Sequence, residues 1–374
     1  MATCSSCGPW GVLEVEQTLR LPEDTGDGME RFLPLLPIDP SWPRPNLRVG
    51  NTPLVAARRL AAALGLRGLW LKDEGRNPSG SIRDRASWLA GAHSRMRTVA
   101  TSSSRGDSGA SSAVCCASMG SLAVLFVPRE TSRARLAQML VHGARVLRVQ
   151  GGPTDAQHLC DQAIRELRWY NCNTGTNPML VEGLKTCGIE IAEVQAVDWL
   201  SVPVSDGAVI AGIWKGLKEA YRLRLIDRLP RLLGVQTHRD TTVYEEWRND
   251  GDSGPARAPR VDPQRSEGGV PRDWRRAVRA IAESGGRMVL VSDDDILTAM
   301  TLTARLGGVY PDKHAASAVA GLSKLRPGGT AIALITGGGW RDADSAVAAG
   351  AQPIDVPNRI ESVLEAMELS NWGI

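Results

Sequence analysis

Apolar positions along the chain fall into two alternating kinds of segment. Runs with helical spacing cover about 56–66, 81–93, 109–119, 132–142, 154–169, 183–197, 208–226, 272–284, 293–306 and 314–325. Between them lie short β-rich runs: Leu69–Lys72, Thr98–Thr101, Leu122–Val127, Arg145–Val149, Leu200–Val204, Leu232–Gln236, Met288–Val291 and Ala331–Ile335. A period near 3.6 marks a helix with one buried face, and a short branched run marks a buried strand. Their alternation predicts α/β architecture with mainly parallel sheets. Ligands of such folds bind beyond the carboxyl ends of strands, often at helix N-termini. Residues 1–46 are rich in Pro and turn formers and read as a loose N-terminal segment. Over 239–271 the apolar period vanishes under Asp, Arg, Gly and Pro, which predicts a long mobile loop. No repeat is visible.

Composition narrows the class. A length of 374 residues suggests two domains or slightly more. A net charge of +3 argues against a strongly basic nucleic-acid binder. No apolar run approaches 18 residues, so no membrane span is expected, and the N-terminus lacks the basic-then-apolar pattern of an export signal. A cytoplasmic location is therefore expected, and its seven cysteines read as reduced thiols. Only six of the 44 cationic residues are lysine, and this Arg bias suggests a GC-rich bacterial genome. No metal is expected: Cys4-x-x-Cys7 lacks a second ligand pair, and the five histidines have no metal spacing.

Candidate chemistry sits in four polar, Gly-containing turns after strands. They are Asn77–Arg85, Ser104–Ser111, Val202–Gly207 and Thr336–Gly339. One such turn alone is ordinary. Four in one α/β chain suit an anion or cofactor pocket, because exposed backbone N–H groups gather there.

These segments, in this order, resemble threonine synthase, a fold-type-II pyridoxal-phosphate (PLP) enzyme. Cys4–Val15 resembles the end of that family's zinc-ribbon-like N-terminus. Gly50-Asn51-Thr52-Pro53-Leu54 matches its GNTPL, and Leu71–Ser81 matches its LKDEGxNPTGS. Asn177-Pro178, Glu182–Thr186, Ile213–Glu219, Ala315-Ala316-Ser317 and Thr336-Gly337-x-Gly339 match later signatures. The resemblance implies a tryptophan-synthase-β-like pair of open twisted sheets with helices on both faces. It also implies a large α/β domain at 47–90 plus 191–345 and a small one at 91–190. Outside them lie the segment 1–46 and a C-terminal tail at 346–374. A homodimer is implied as well.

Departures fall on the chemistry. The family's GS-Phe-Lys-Asp-Arg carries its Schiff-base lysine, whereas this chain reads Gly80-Ser81-Ile82-Arg83-Asp84-Arg85. A guanidinium stays protonated and cannot form an imine. The family's ring-cupping SGNTGAS has Asp107 at its Asn position, and its glycine-rich phosphate turn is Ser205-Asp206-Gly207-Ala208-Val209 here. The expectation is therefore that PLP has been lost and no cofactor is used.

Three functions compete on these residues. The first is a repurposed, PLP-independent enzyme of bacterial specialised metabolism, acting on a small anionic, amino-acid-like or phosphorylated substrate. The second is a non-catalytic protein that binds a partner or senses a ligand. The third is a PLP-dependent elimination or replacement enzyme that holds PLP without the usual lysine. Arg83, Asp107 and Lys72 are the catalytic candidates. Ser81, Ser104, Gly106, Ser108, Gly109, Ser111, Lys185, Ser205, Asp206, Gly207 and Thr336 are the binding candidates. No nucleic-acid or membrane partner is expected. Arg83 is predicted to contact Asp107 directly or through one shared ligand.

Overall fold

The computed structural model describes residues 4, 6–21, 26–102, 106–249, 259, 271–350 and 354–369. A short antiparallel pair starts the main body: β1 (Leu54–Ala56) and β2 (Gly68–Asp73), joined by α1 (Arg58–Leu64). After α2 (Arg83–Ser94) come β3 (Val99–Ser102), α3 (Asp107–Met119), β4 (Ala123–Pro128), α4 (Arg133–Val141), β5 (Arg145–Val149), α5 (Pro153–Leu167) and β6 (Tyr170–Asn171). α6 (Met179–Val194) leads to β7 (Trp199–Pro203), α7 (Ala208–Arg222), β8 (Arg231–Thr237), α8 (Thr242–Arg248) and α9 (Trp274–Glu283). β9 (Arg287–Val291), α10 (Asp293–Gly307), α11 (Lys313–Leu325), β10 (Thr330–Ile335), α12 (Ala343–Ala349) and α13 (Ile360–Leu369) complete it.

The strands form two sheets. One has the order β1-β2-β10-β7-β8-β9, parallel except at β1–β2. The other has the order β5-β4-β3-β6 and is wholly parallel. Helices cover both faces of parallel strands, so those strands need apolar residues on both faces. β4 and β7 are buried at every position. One apolar cluster joins the sheets, running from Leu125 and Val127 of β4 through Ala86, Leu184 and Ile213 to Leu200 and Leu334.

Small residues set the helix spacing beside the cleft. A Cβ on Gly216 of α7 would lie 2.0 Å from the Lys185 carbonyl of α6, and one on Gly183 of α6 would lie 2.2 Å from the Arg85 carbonyl of α2. These contacts let α6 pack closely on both α2 and α7, whose N-termini carry the site. Register does the rest. Ile335 pairs with Asp73, so the loops after β10 and β2 leave the sheet side by side. Isolated bridges then tie Ser81 to Gly337 and Pro311 to Gly338.

Two sequence expectations need correction. α8 lies within the span read as a loop, because Val243 and Glu246 are buried and Tyr244 and Trp247 pack on the core. Seven residues are too few to show a helical period. Residues 250–258 and 260–270 of that span lie outside the described residues. The span read as a tail contains α13. No described helix is long and apolar enough to cross a membrane.

Candidate functional site

The turn from Ser79 to Ile82 aims the start of α2 at the cleft. The Ser79 N–H and hydroxyl both donate to Asp84, at 2.7 and 2.6 Å. The Ile82 N–H donates to the Thr336 carbonyl at 2.9 Å, and the Gly338 N–H to the Gly80 carbonyl at 3.0 Å. Gly80 has φ +81°, and a Cβ there would meet the Trp340 ring at 2.5 Å. Only glycine suits both demands. Arg83 then opens α2, and its Nη2 donates to Asp206 Oδ1 at 3.2 Å. Its Nη1 is buried with no hydrogen-bond partner.

Asp206 sits in the turn that starts α7. Its Oδ1 also accepts the Ala208 N–H at 3.2 Å, and Thr174 donates its hydroxyl to Oδ2. Burial pushes this carboxyl up, but Arg83, Thr174 and the Ala208 N–H outweigh it and hold it below its ordinary value. Burial likewise opposes the Arg83 charge, and Asp206, Asp107 and Asp273 more than restore it. Gly207, at φ +96°, brings the turn close to Asp273, whose carbonyl would lie 2.6 Å from an added Cβ.

Asp107 opens α3 across the cleft. Arg341 Nη1 donates to its Oδ1 at 2.9 Å, and Arg341 Nη2 donates to Asp312 Oδ2 at 2.8 Å. Asp312 in turn accepts the Ala315 N–H at the start of α11, at 2.7 Å. Burial pushes Asp107 up, but Arg341, Arg135, His314 and Arg83 together hold it at about 2. The direct Arg83–Asp107 pair expected from sequence is therefore replaced by two others. Arg341 claims Asp107, and Asp206, already fixed by a helix N–H, claims Arg83.

The cleft encloses a cavity of about 90 Å³. Ser81, Arg83, Asp107, Ser108, Ser205, Asp206 and Thr336 line it, as the four turns suggested. Gly106 and Gly207 precede α3 and α7 at φ +87° and +96°, where they shape helix starts. Gly109 and Ser111 are buried in the first turns of α3. Ser104 lies outside the described residues. Two lysines are corrections. Lys72 Nζ is buried 2.7 Å from the Thr52 carbonyl and 2.8 Å from Glu190 Oε2, away from the cleft. Lys185 is buried between Glu182 and Glu219. Each ammonium is held by buried protein acceptors and does not line the cavity. Asn173, Thr174 and His314 also line the cavity and were not singled out. Asn173-Thr174-Gly175 is a fifth polar, Gly-containing turn after a strand, and that signal could have found the first two.

Comparison with known proteins identifies the class. The family described as "pyridoxal-phosphate dependent enzyme" matches residues 46–337, and the chain belongs to it. Threonine synthase of Mycobacterium tuberculosis is 31% identical over 348 residues, 90% of this chain and 94% of that one. Threonine synthase of Methanocaldococcus jannaschii is 32% identical over 342 residues, 88% and 84% of the two chains. Among solved structures, the processed threonine deaminase isoform 2 of Solanum lycopersicum superposes with TM-score 0.67 at 17% identity, over 99% of this chain and 96% of that one. Diaminopropionate ammonia lyase of Escherichia coli gives 0.66 at 16% identity, over 80% and 86%. These likenesses establish the fold-type-II architecture.

The family match overturns the expectation of no cofactor: PLP is the cofactor to which it points. Three local departures do not outweigh a frame that matches over residues 46–337. Those residues bear on how PLP would be held. All six lysines are among the described residues, and none lines the cavity. The Asp206 carboxylate already takes the Ala208 N–H at the α7 N-terminus. A volume of about 90 Å³ is also less than the ~150 Å³ that accommodates a benzene ring, so PLP in any form enters only when the cleft opens. The lining therefore offers no lysine for a covalent link to PLP. Among the described residues no His, Cys, Asp and Glu cluster is arranged for a metal.

Proposed function

We propose that this chain is a threonine synthase-like protein that takes PLP, together with a small anionic amino-acid-like or phosphorylated ligand, without a covalent lysine link. In this reading Arg83 stands at the family's lysine position. The observation that carries it is the Arg83 side chain: one guanidinium edge is paired with Asp206, while Nη1 is buried in the cleft with no acceptor. A buried donor without an acceptor is costly, and an anionic oxygen removes that cost. Ser81, Ser108 and Thr336 add hydroxyls around the same cavity, and α3 adds backbone donors at its first turn. The Arg83–Asp206 pair closes the cleft, so ligand entry requires the two side chains to part. The reading includes two lobes, at 91–190 and at 47–90 plus 191–345, and a homodimer.

Equilibrium dialysis against PLP tests it. Saturable binding is expected, weakened about tenfold in Arg83→Gln by loss of one charged hydrogen bond. Absence of binding, or binding indifferent to Arg83→Gln, would contradict it.

A further inference from the structure

A larger groove opens on the other side of the turn that joins β6 to α6. Asn173 and Thr174 of that turn line the cleft, Thr176 and Asn177 line the groove, and no residue lines both spaces. The groove has a volume of about 940 Å³. β6 is the outer strand of its sheet, so no further strand fills the space between α5 and the start of α6.

Two kinds of side chain line it. The first is cationic: the guanidiniums of Arg97, Arg165, Arg168 and Arg272 stand against one carboxylate, Asp161. Part of this charge is committed. Arg272 pairs with Asp161, in side chains 19% and 13% exposed. Arg97 donates Nε to the Ser94 carbonyl at 3.0 Å, and its guanidinium lies 5.3 Å from the centre of the Tyr170 ring. Arg165 and Arg168 are exposed, and among the described residues neither has a hydrogen-bond or ion-pair partner. The second kind is aromatic. Trp10 and Trp169 are half-buried in the walls, and among the described residues no ring or guanidinium stacks on either.

This combination selects a ligand. A bare anion uses the guanidiniums and leaves the indole faces unused. A purely apolar molecule does the reverse, and a cation is repelled by the excess of arginine. A flat ring joined to a phosphate uses both, because indoles stack on planar rings and guanidiniums take phosphate oxygens two at a time. The volume lies within the ~300–1,000 Å³ usual for small-molecule sites. We propose that the groove is an accessory site for a nucleoside monophosphate, its base held by Trp10 and Trp169 and its phosphate by Arg165 and Arg168. The site does not rest on PLP binding, because Arg83 and the other residues of that reading line the cleft alone.

Adenosine monophosphate is the probe, titrated calorimetrically into the full chain without PLP. Saturable binding is expected, with adenosine and inorganic phosphate each at least tenfold weaker. Arg165→Gln and Arg168→Gln should each weaken the nucleotide about tenfold by loss of a charged hydrogen bond. Trp10→Leu should weaken it by a similar factor through loss of stacking. Thermal unfolding checks that each variant folds, and any one of the three suffices for the test. No saturable binding, or binding indifferent to all three variants, would overturn the site. Phosphate binding as tightly as the nucleotide would overturn it too, by leaving the rings no part. Loss of nucleotide binding on Arg83→Gln would place the ligand in the cleft and overturn the groove while leaving the PLP reading intact.

Discussion

Arg83 and Asp206 join two helix starts across the cleft: Nη2 of the first residue of α2 lies 3.2 Å from Oδ1 of the turn that begins α7. Their side chains are 14% and 17% exposed, so the pair is mostly shielded from water. Removing either partner leaves the other charge buried. Arg83→Ala and Asp206→Ala should each cost about 1–3 kcal/mol, and the double variant should cost less than the sum. Urea unfolding of the four proteins checks this, and strict additivity would show that the contact carries no coupling.

Asp206 also competes with incoming anions for Arg83, Thr174 and the Ala208 N–H. Asp206→Asn removes the competing charge and keeps the shape. Affinity for PLP in dialysis should rise about tenfold, a conservative share of the roughly 4 kcal/mol that like charges at contact exchange at an effective dielectric near 20. Unchanged or weaker binding would show that Asp206 does not compete.

Asp107 gives the fold an acid-sensitive contact. Its carboxyl is held at about 2, below its ordinary value, by Arg341 and its cationic neighbours against the opposing effect of burial. The stabilisation is complete above the unfolded value near pH 4 and disappears as pH falls through about 2, roughly 2 kcal/mol in all. Asp312, pushed up by burial, contributes with the opposite sign. Comparison with Asp107→Asn isolates the first effect: between pH 5 and 2 the stability of the native chain should fall more steeply than that of the variant. Parallel curves would exclude the assignment.

Lys72 belongs to a buried network and not to the ligand site. Glu190 binds both Lys72 and Arg85, and Arg85 also binds Glu74, with all four side chains at most 5% exposed. Lys72→Met should destabilise the chain by about 3 kcal/mol, the usual scale for breaking a buried pair. PLP affinity of the folded variant should match that of the native chain. A selective loss of affinity at unchanged stability would return Lys72 to the site.

Much of this could be read along the chain, and the limits have physical causes. β5 was placed at Arg145–Val149 and observed there, because a branched run between turn formers has few alternatives. β1 and β6, of three and two residues, are too short to carry a pattern. Four Gly-containing turns located Arg83, Asp107, Asp206 and Thr336 around one cavity. Partner choice was not legible. Arg341 reaches Asp107 from 234 positions away, and Lys72 finds Glu190 at a separation of 118. Such pairings depend on strand order, which no local motif records. The cofactor is not legible in the three substituted positions for a related reason: it is recorded by the whole frame, which matches over residues 46–337.

The central claim is PLP held without a lysine bond, and mass spectrometry tests it most directly. The chain is saturated with PLP, shown by dialysis to carry it, treated with borohydride, denatured and weighed. The account predicts PLP retained in the native sample and an unmodified mass after denaturation, since no lysine lines the cavity. A stoichiometric pyridoxyl adduct on any one of the six lysines would contradict it.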